Sequence, residues 1–276
     1  MVSKKPNSVR NLDNSIRRIA GQANYMAART LVSNAMVGSM LPSGVVKGGT
    51  SIKLRFGSLA TRYTTDLDAA RVDSIDEFRN QLSARLRDGW EGFGGRVVTG
   101  RQARPKGVPS QYVMQPFEVK LSYLDKPWCT VLLEVGHDEI GDADEPEMVE
   151  PKEANRLLES MGFPALGPVP VMPLDYQIAQ KLHGVSAPGS TRAHDLIDLQ
   201  VIVGNASDQI DWHRVRRICE RLFAYRKQQA WPPTVAPEQS WETLYADQLL
   251  PEPVKQTASE AVEWVNDLIG SIASAS

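Results

Sequence analysis

Asp66 and Asp68 stand two residues apart in Arg62-Tyr63-Thr64-Thr65-Asp66-Leu67-Asp68. On a strand that spacing turns both carboxylates to one face, about 6–7 Å apart along the backbone. Two acids so placed can share a divalent cation. Magnesium is typically held by one or two carboxylates together with substrate phosphates, and a two-metal site clamps the attacking and leaving oxygens of an in-line displacement. A third carboxylate from a neighbouring strand would complete the site. Glu134, in Val131-Leu132-Leu133-Glu134-Val135, is the natural candidate, since an acid buried in an apolar strand needs a partner.

The residues just upstream supply the complementary half. In Val46-Lys47-Gly48-Gly49-Thr50-Ser51-Ile52-Lys53-Leu54-Arg55-Phe56, Gly48 and Gly49 let the backbone approach a ligand, and a helix starting near Thr50 would aim free N–H groups at phosphate. Ser51, Lys53, Arg55 and Arg62 could add donors to the same phosphates. Alone, a Gly-Gly pair is a turn and an Asp-x-Asp is a solvated edge. In this order, within one strand–helix–strand passage, they point to a bound metal–triphosphate.

The elements that must position these residues can be read from periodicity. Residues 8–40 carry apolar positions at helical spacing (Ile16, Ile19, Leu31, Val32, Met36) and are closed by Pro42-Ser43-Gly44, which predicts one or two helices. A short strand over 44–49, a helix over 50–56 and a strand over 65–72 follow, then a helix to Trp90 introduced by Ser74 with Glu77 as a capping box. Further strands are expected at 96–99, 112–123 and 128–136, giving a mixed sheet. The acidic segment 138–151 reads as a surface loop and a boundary. Beyond Pro173 the pattern is helical: 174–185, 192–203, 212–229, 241–249 and 258–272. The expectation is an α/β (α+β) portion over residues 1–150 and a mostly helical portion over 151–276.

At 276 residues, with 42% hydrophobic and 23% charged, the chain can bury its own core and needs no staples. A net charge of −2 confines any nucleic-acid surface to a local patch. Only Cys129 and Cys219 occur, which argues against a disulfide framework and for a reducing, cytoplasmic setting. No apolar run is long enough to span a bilayer, so no membrane is expected.

Lys47-Gly48-Gly49-Thr50 followed by Arg62-Tyr63-Thr64-Thr65-Asp66-Leu67-Asp68 resembles the signature of polymerase-β-like nucleotidyltransferases, specifically the AbiEii-type (MenT-like) toxins of bacterial toxin–antitoxin systems. Gln177-Ile178-Ala179-Gln180-Lys181-Leu182-His183 and Arg192-Ala193-His194-Asp195-Leu196-Ile197-Asp198-Leu199 resemble that subfamily's helical lysine motif and its Arg-x-x-Asp-x-x-Asp motif. The resemblance spans residues 40–205. It implies a nucleotidyltransferase sheet with a helical C-terminal portion and Mg²⁺-dependent transfer of a nucleoside monophosphate from an NTP. The acceptor it implies is the 3′ end of tRNA, and the partner a cognate antitoxin of winged-helix regulator type. It also implies a Lys181 that reaches the triphosphate, an active-site Asp198, and nucleotide-binding roles for Thr65, Arg192 and Asp195. The bland alternative for Arg192, Asp195 and Asp198, spaced at three on one helical face, is an ion-pair ladder that orients Lys181.

Other readings stay open at this point: a nucleotidyltransferase acting on a small molecule or a protein hydroxyl, or a non-catalytic nucleotide-binding module. His183 and His194 lack ligand-spaced partners and argue against zinc. Arg214, Arg217 and Arg221 form a basic stripe on the 212–229 helix, which is either a solvated face or, with Arg96, Arg101, Arg104 and Lys106, a footprint for an RNA backbone.

Overall fold

Strands β4 (Gln115–Tyr123) and β5 (Lys126–His137) alternate between a covered and an open face. Phe117, Val119, Leu121, Tyr123, Val131, Leu133 and Val135 are buried, whereas Leu132 and Glu134 are exposed. The period of two is that of strands with the helical core on one side and an open face on the other at β4 and β5. The computed structural model describes residues 4–103, 113–248 and 254–275. Arg104, Lys106, Tyr112 and Leu249 of the expectations above lie outside them.

Two compact units emerge. The first takes the chain up to Arg55 with Thr64–Asp138 and Ala143–Val171; the second takes Phe56–Tyr63, Glu139–Asp142 and everything from Met172 onward. The expected division at 150/151 falls inside the first unit.

The first unit carries a seven-stranded sheet in the order β3-β4-β5-β2-β1-β7-β6, with β1 at Val45–Lys47, β2 at Leu67–Arg71, β3 at Phe93–Thr99, β6 at Glu147–Val149 and β7 at Val169–Val171. β2 runs antiparallel to β1 and parallel to β5. Five strands were expected, and β6 and β7 are the additions. Segment 138–151 is therefore more than a surface loop: it contains β6, and Asp142 and Ala143 within it are buried. Helices α1 (Val9–Ala20), α2 (Tyr25–Ser39), α4 (Ile75–Asp88) and α5 (Lys152–Ser160) contribute Leu12, Ile16, Val32, Met36, Phe78, Leu82 and Leu158 to one core with the inward strand residues. α5 was not anticipated. Ser74 does cap α4, its hydroxyl accepting from Glu77 N–H at 3.2 Å, but the Glu77 carboxylate accepts from Gln81 instead of completing a box.

The second unit is helical: α6 (Leu174–Val185), α7 (His194–Ala206), α8 (Trp212–Arg226), α9 (Trp241–Ala246) and α10 (Ala258–Ser274). α6 packs against both α7 and α8, and α10 against α7, α8 and α9. A reciprocal capping box between Thr257 and Glu260 starts α10. Arg192 was expected inside the helix that carries Asp195, yet α7 begins at His194.

The two-faced sheet makes a direct prediction. Leu133→Ala, in the core, should lose about 2–5 kcal/mol in urea unfolding, whereas Leu132→Ala, one residue away on the open face, should stay within about 0.5 kcal/mol. Equal losses would contradict the assigned faces.

Candidate active site

The strand registers place Lys47 opposite Asp68 and Asp68 opposite Glu134, so the three side chains form one row across β1, β2 and β5 on the open face. Chain direction reverses tightly beside that row. Gly48, the first residue of α3 (Gly48–Phe56), has φ +67°, and a Cβ built there would lie 2.6 Å from Asp68 Oδ2. Only glycine accepts both the left-handed backbone and the carboxylate at that distance. Asp66 precedes β2 by one residue, and the loop delivering it is held from two sides. Thr50 Oγ1 donates to the Asp66 carbonyl at 2.6 Å, and Asn34 Nδ2, from α2, donates to the Thr65 carbonyl at 3.2 Å. The Thr65 hydroxyl donates to Asp66 Oδ1 at 3.1 Å.

Glu134 departs from its expected setting. The strand that carries it is covered on one side only, and Glu134 is exposed on the other, so no buried charge is left seeking a partner. Its neighbours still act on it. Desolvation by the sheet, followed by the charges of Asp68 and Asp66, raises its pKa above the ordinary glutamate value, with Lys47 pulling the other way. A row with surplus negative charge suits a hard cation. Among the described residues, no group of three His, Cys, Asp or Glu could by itself hold a metal ion. The donor set therefore fits a cation shared between one or two carboxylates and substrate phosphates rather than an all-protein cage.

The other candidates on α3 are mostly engaged within the protein. Ser51 is fully buried and its hydroxyl donates to the Gly48 carbonyl at 3.4 Å. Lys53 is buried, and Arg55 pairs with Glu147 of β6. Gly49 is the second residue of α3.

In the second unit, Lys181 on α6 is 4% exposed and its ammonium donates to Asp195 Oδ1 at 2.8 Å and Asp198 Oδ2 at 2.7 Å, both on α7. Arg62 closes on Asp198 with two parallel hydrogen bonds, Nε at 2.9 Å and a terminal nitrogen at 3.0 Å. Arg192, just ahead of α7, donates from Nε to Asp195 Oδ2 at 2.6 Å. Gly184 on α6 admits that pair, because a Cβ there would come within 2.7 Å of Arg192 Nε. Burial alone would raise both aspartate pKa values. Lys181 and Arg192 nevertheless hold Asp195 well below the carboxylate range, and Lys181 and Arg62 hold Asp198 below it. Burial lowers the pKa of His194, and that of His183 to about 4, where Arg226 also disfavours the charged ring.

Comparison with known proteins settles the family. The model of the nucleotidyl transferase AbiEii toxin, type IV toxin–antitoxin system, matches residues 36–266. The chain belongs to the AbiEii family. No curated protein matches. Among solved structures, MenT4, a nucleotidyltransferase toxin from Mycobacterium tuberculosis H37Rv, is 21% identical with a TM-score of 0.58, covering 96% of this chain and 90% of that one, a likeness of fold. JHP933 from Helicobacter pylori is 14% identical with a TM-score of 0.47, over 90% and 91% of the two chains. As an AbiEii nucleotidyltransferase toxin, the protein takes an NTP as substrate and has an antitoxin as its counterpart. No described helix is long and apolar enough to cross a membrane.

Within this AbiEii chain, the structure gathers Asp66, Asp68 and Glu134 beside the start of α3 in one unit, and in the other a network of buried Lys181, Asp195 and Asp198 with half-buried Arg62 and exposed Arg192. Two contributors escaped sequence reasoning: Lys47, quoted in a motif yet given no role, and Asn34, whose signal is a lone amide in the apolar run of α2. Of the arginine stripe on α8, Arg214 pairs with Asp175 at 2.6 Å, Arg221 donates to the neutral Ile140 carbonyl at 2.8 Å, and Arg217 is exposed.

Lys181→Met would strand two buried carboxylates and should cost about 3–5 kcal/mol in denaturant unfolding. Both aspartates have folded pKa values below the unfolded value of about 3.9. Their stabilisation is thus complete above that pH and is lost as pH falls through the folded values. Acid unfolding should steepen below about pH 4, and Asp195→Asn should flatten that slope. A wild-type acid limb no steeper than the variant's would contradict the network.

Proposed function

We propose that the chain transfers a nucleoside monophosphate from an NTP to the 3′ end of tRNA in a Mg²⁺-dependent reaction that releases pyrophosphate. In this reading it acts in the cytoplasm, and a cognate antitoxin of winged-helix regulator type neutralises it. The observation that carries the reading is the contact of the Asp68 carboxylate with Gly48 at the first residue of α3. A cation-binding group and a helix N-terminus meet there, which is what a metal–triphosphate requires.

Asp66 and Asp68 hold the metal, with Glu134 beside Asp68 as a third carboxylate. Bound Mg²⁺ supplies charge neutralisation on the transferring phosphoryl group. The first N–H groups of α3, at Gly48, Gly49, Thr50 and Ser51, bind phosphate oxygens. Thr65 orients Asp66 through its hydroxyl, and Thr50 fixes the backbone of Asp66. Asp198 holds Arg62 and Lys181, and Asp195 holds Lys181 and Arg192. This cluster of three cations and two carboxylates carries a surplus positive charge. Lys53 and Arg55 support α3 from within the fold.

On α8, Arg217 and Arg221 are exposed and remain candidates for contact with an RNA backbone, and the test sets tRNA against other acceptors. Each labelled NTP is incubated with Mg²⁺ and either total tRNA, total protein or small-molecule hydroxyl acceptors. The expected result is label on tRNA that Asp68→Asn reduces by about a hundredfold or more, the scale of removing one preorganised electrostatic group. Label on protein or a small molecule would replace the acceptor. Nucleotide binding with no transfer to any acceptor would mean a non-catalytic module.

A further inference from the structure

Lys47 is the side chain in the carboxylate row that no role above has used. Its register partner is Asp68 on β2, and Asp68 is in turn opposite Glu134 on β5. A Cβ built on Gly136 of β5 would lie 3.3 Å from Lys47 Nζ. β2 separates β1 from β5, so the lysine stem spans the open face of β2 and ends two residues beyond Glu134. The residues it crosses are shaped for it. On that face of β2 the position after Asp68 is Ala70, fully buried, and its partner on β5 is Gly136. Larger side chains at either place would fill the path.

We propose that Lys47 is a resident cation of the row: it stabilises Asp68 and Glu134 when no metal is bound and weakens the binding of a free divalent cation. Metal then enters efficiently only with the negative charge of the nucleotide. The inference rests on the metal reading of Asp66 and Asp68 given above. The physical reason is additive charge. One ammonium beside two carboxylates removes part of the field that would attract Mg²⁺, and a triphosphate restores it.

The test uses the full chain with Mn²⁺ as the probe, its affinity measured by the loss of the free-ion paramagnetic resonance signal. Without nucleotide, Lys47→Met should bind Mn²⁺ about tenfold more tightly than wild type. Its metal-free melting temperature should fall and recover with Mn²⁺. With a non-hydrolysable NTP analogue present, the difference in affinity should shrink. Lys47→Gln, which keeps much of the stem without the charge, should shift affinity in the same direction and serves if Lys47→Met does not fold. Unchanged or weaker Mn²⁺ binding in a folded Lys47→Met or Lys47→Gln variant overturns the inference while leaving the metal site standing. If Mn²⁺ binds neither variant nor wild type, with or without the analogue, or if Asp68→Asn binds it as wild type does, the metal reading itself fails.

Discussion

The Asp68 carboxylate lies against the backbone of Gly48, and the geometry of the candidate active site follows from that contact. It requires β1 to end and α3 to begin within one residue, which the left-handed φ of Gly48 permits. It requires antiparallel pairing of β1 with β2, which sets Lys47 opposite Asp68. It also requires that the loop before β2 arrive in a fixed position, and the hydrogen bonds from Thr50 and Asn34 hold it. Each of these donors belongs to a helix rooted in the core, so the carboxylates are carried by rigid elements rather than by a free loop.

The two units handle charge in opposite ways. On the sheet, Lys47, Asp68 and Glu134 share an open face where water and incoming ions can compete, and the charges stay adjustable. In the helical unit, Lys181, Asp195 and Asp198 are almost wholly buried, and each charge is met by a directed hydrogen bond. A buried network of that kind contributes little net stability compared with an apolar core, yet it is costly to break, and so it fixes geometry. Its geometric product is the placement of Arg62, which stands four residues before Asp66 in the chain.

Much of this was legible in the sequence where periodicity is strong. The span of α6 was read as it stands, and the central strands β2, β4 and β5 were placed within a few residues, because alternation and helical spacing report burial directly. β6 and β7 were not, since each has three residues, β6 is acidic and β7 contains Pro170. α5 was missed because Pro151 reads as a break, although proline commonly precedes a first helical turn. At the site, Asp66 and Asp68 were evident from spacing. The partnership of Arg62 with Asp198 spans 136 positions, and no local pattern announces a bond at that separation. Glu134 was placed on the right strand, but its exposure depended on which face the helices cover.

The central claim is that the meeting of Asp68 with Gly48 is where the metal-bound nucleotide sits. Gly48→Ala tests it most directly: the added methyl would intrude on Asp68 Oδ2 at a backbone angle that costs an alanine about 1–2 kcal/mol, which a folded domain can absorb. The measurement is Mg²⁺-dependent binding of a fluorescent NTP analogue to the variant, alongside circular dichroism and melting. The account predicts a folded protein that has lost nucleotide binding. A folded Gly48→Ala variant that binds the analogue as tightly as wild type, with the same Mg²⁺ dependence, would contradict it.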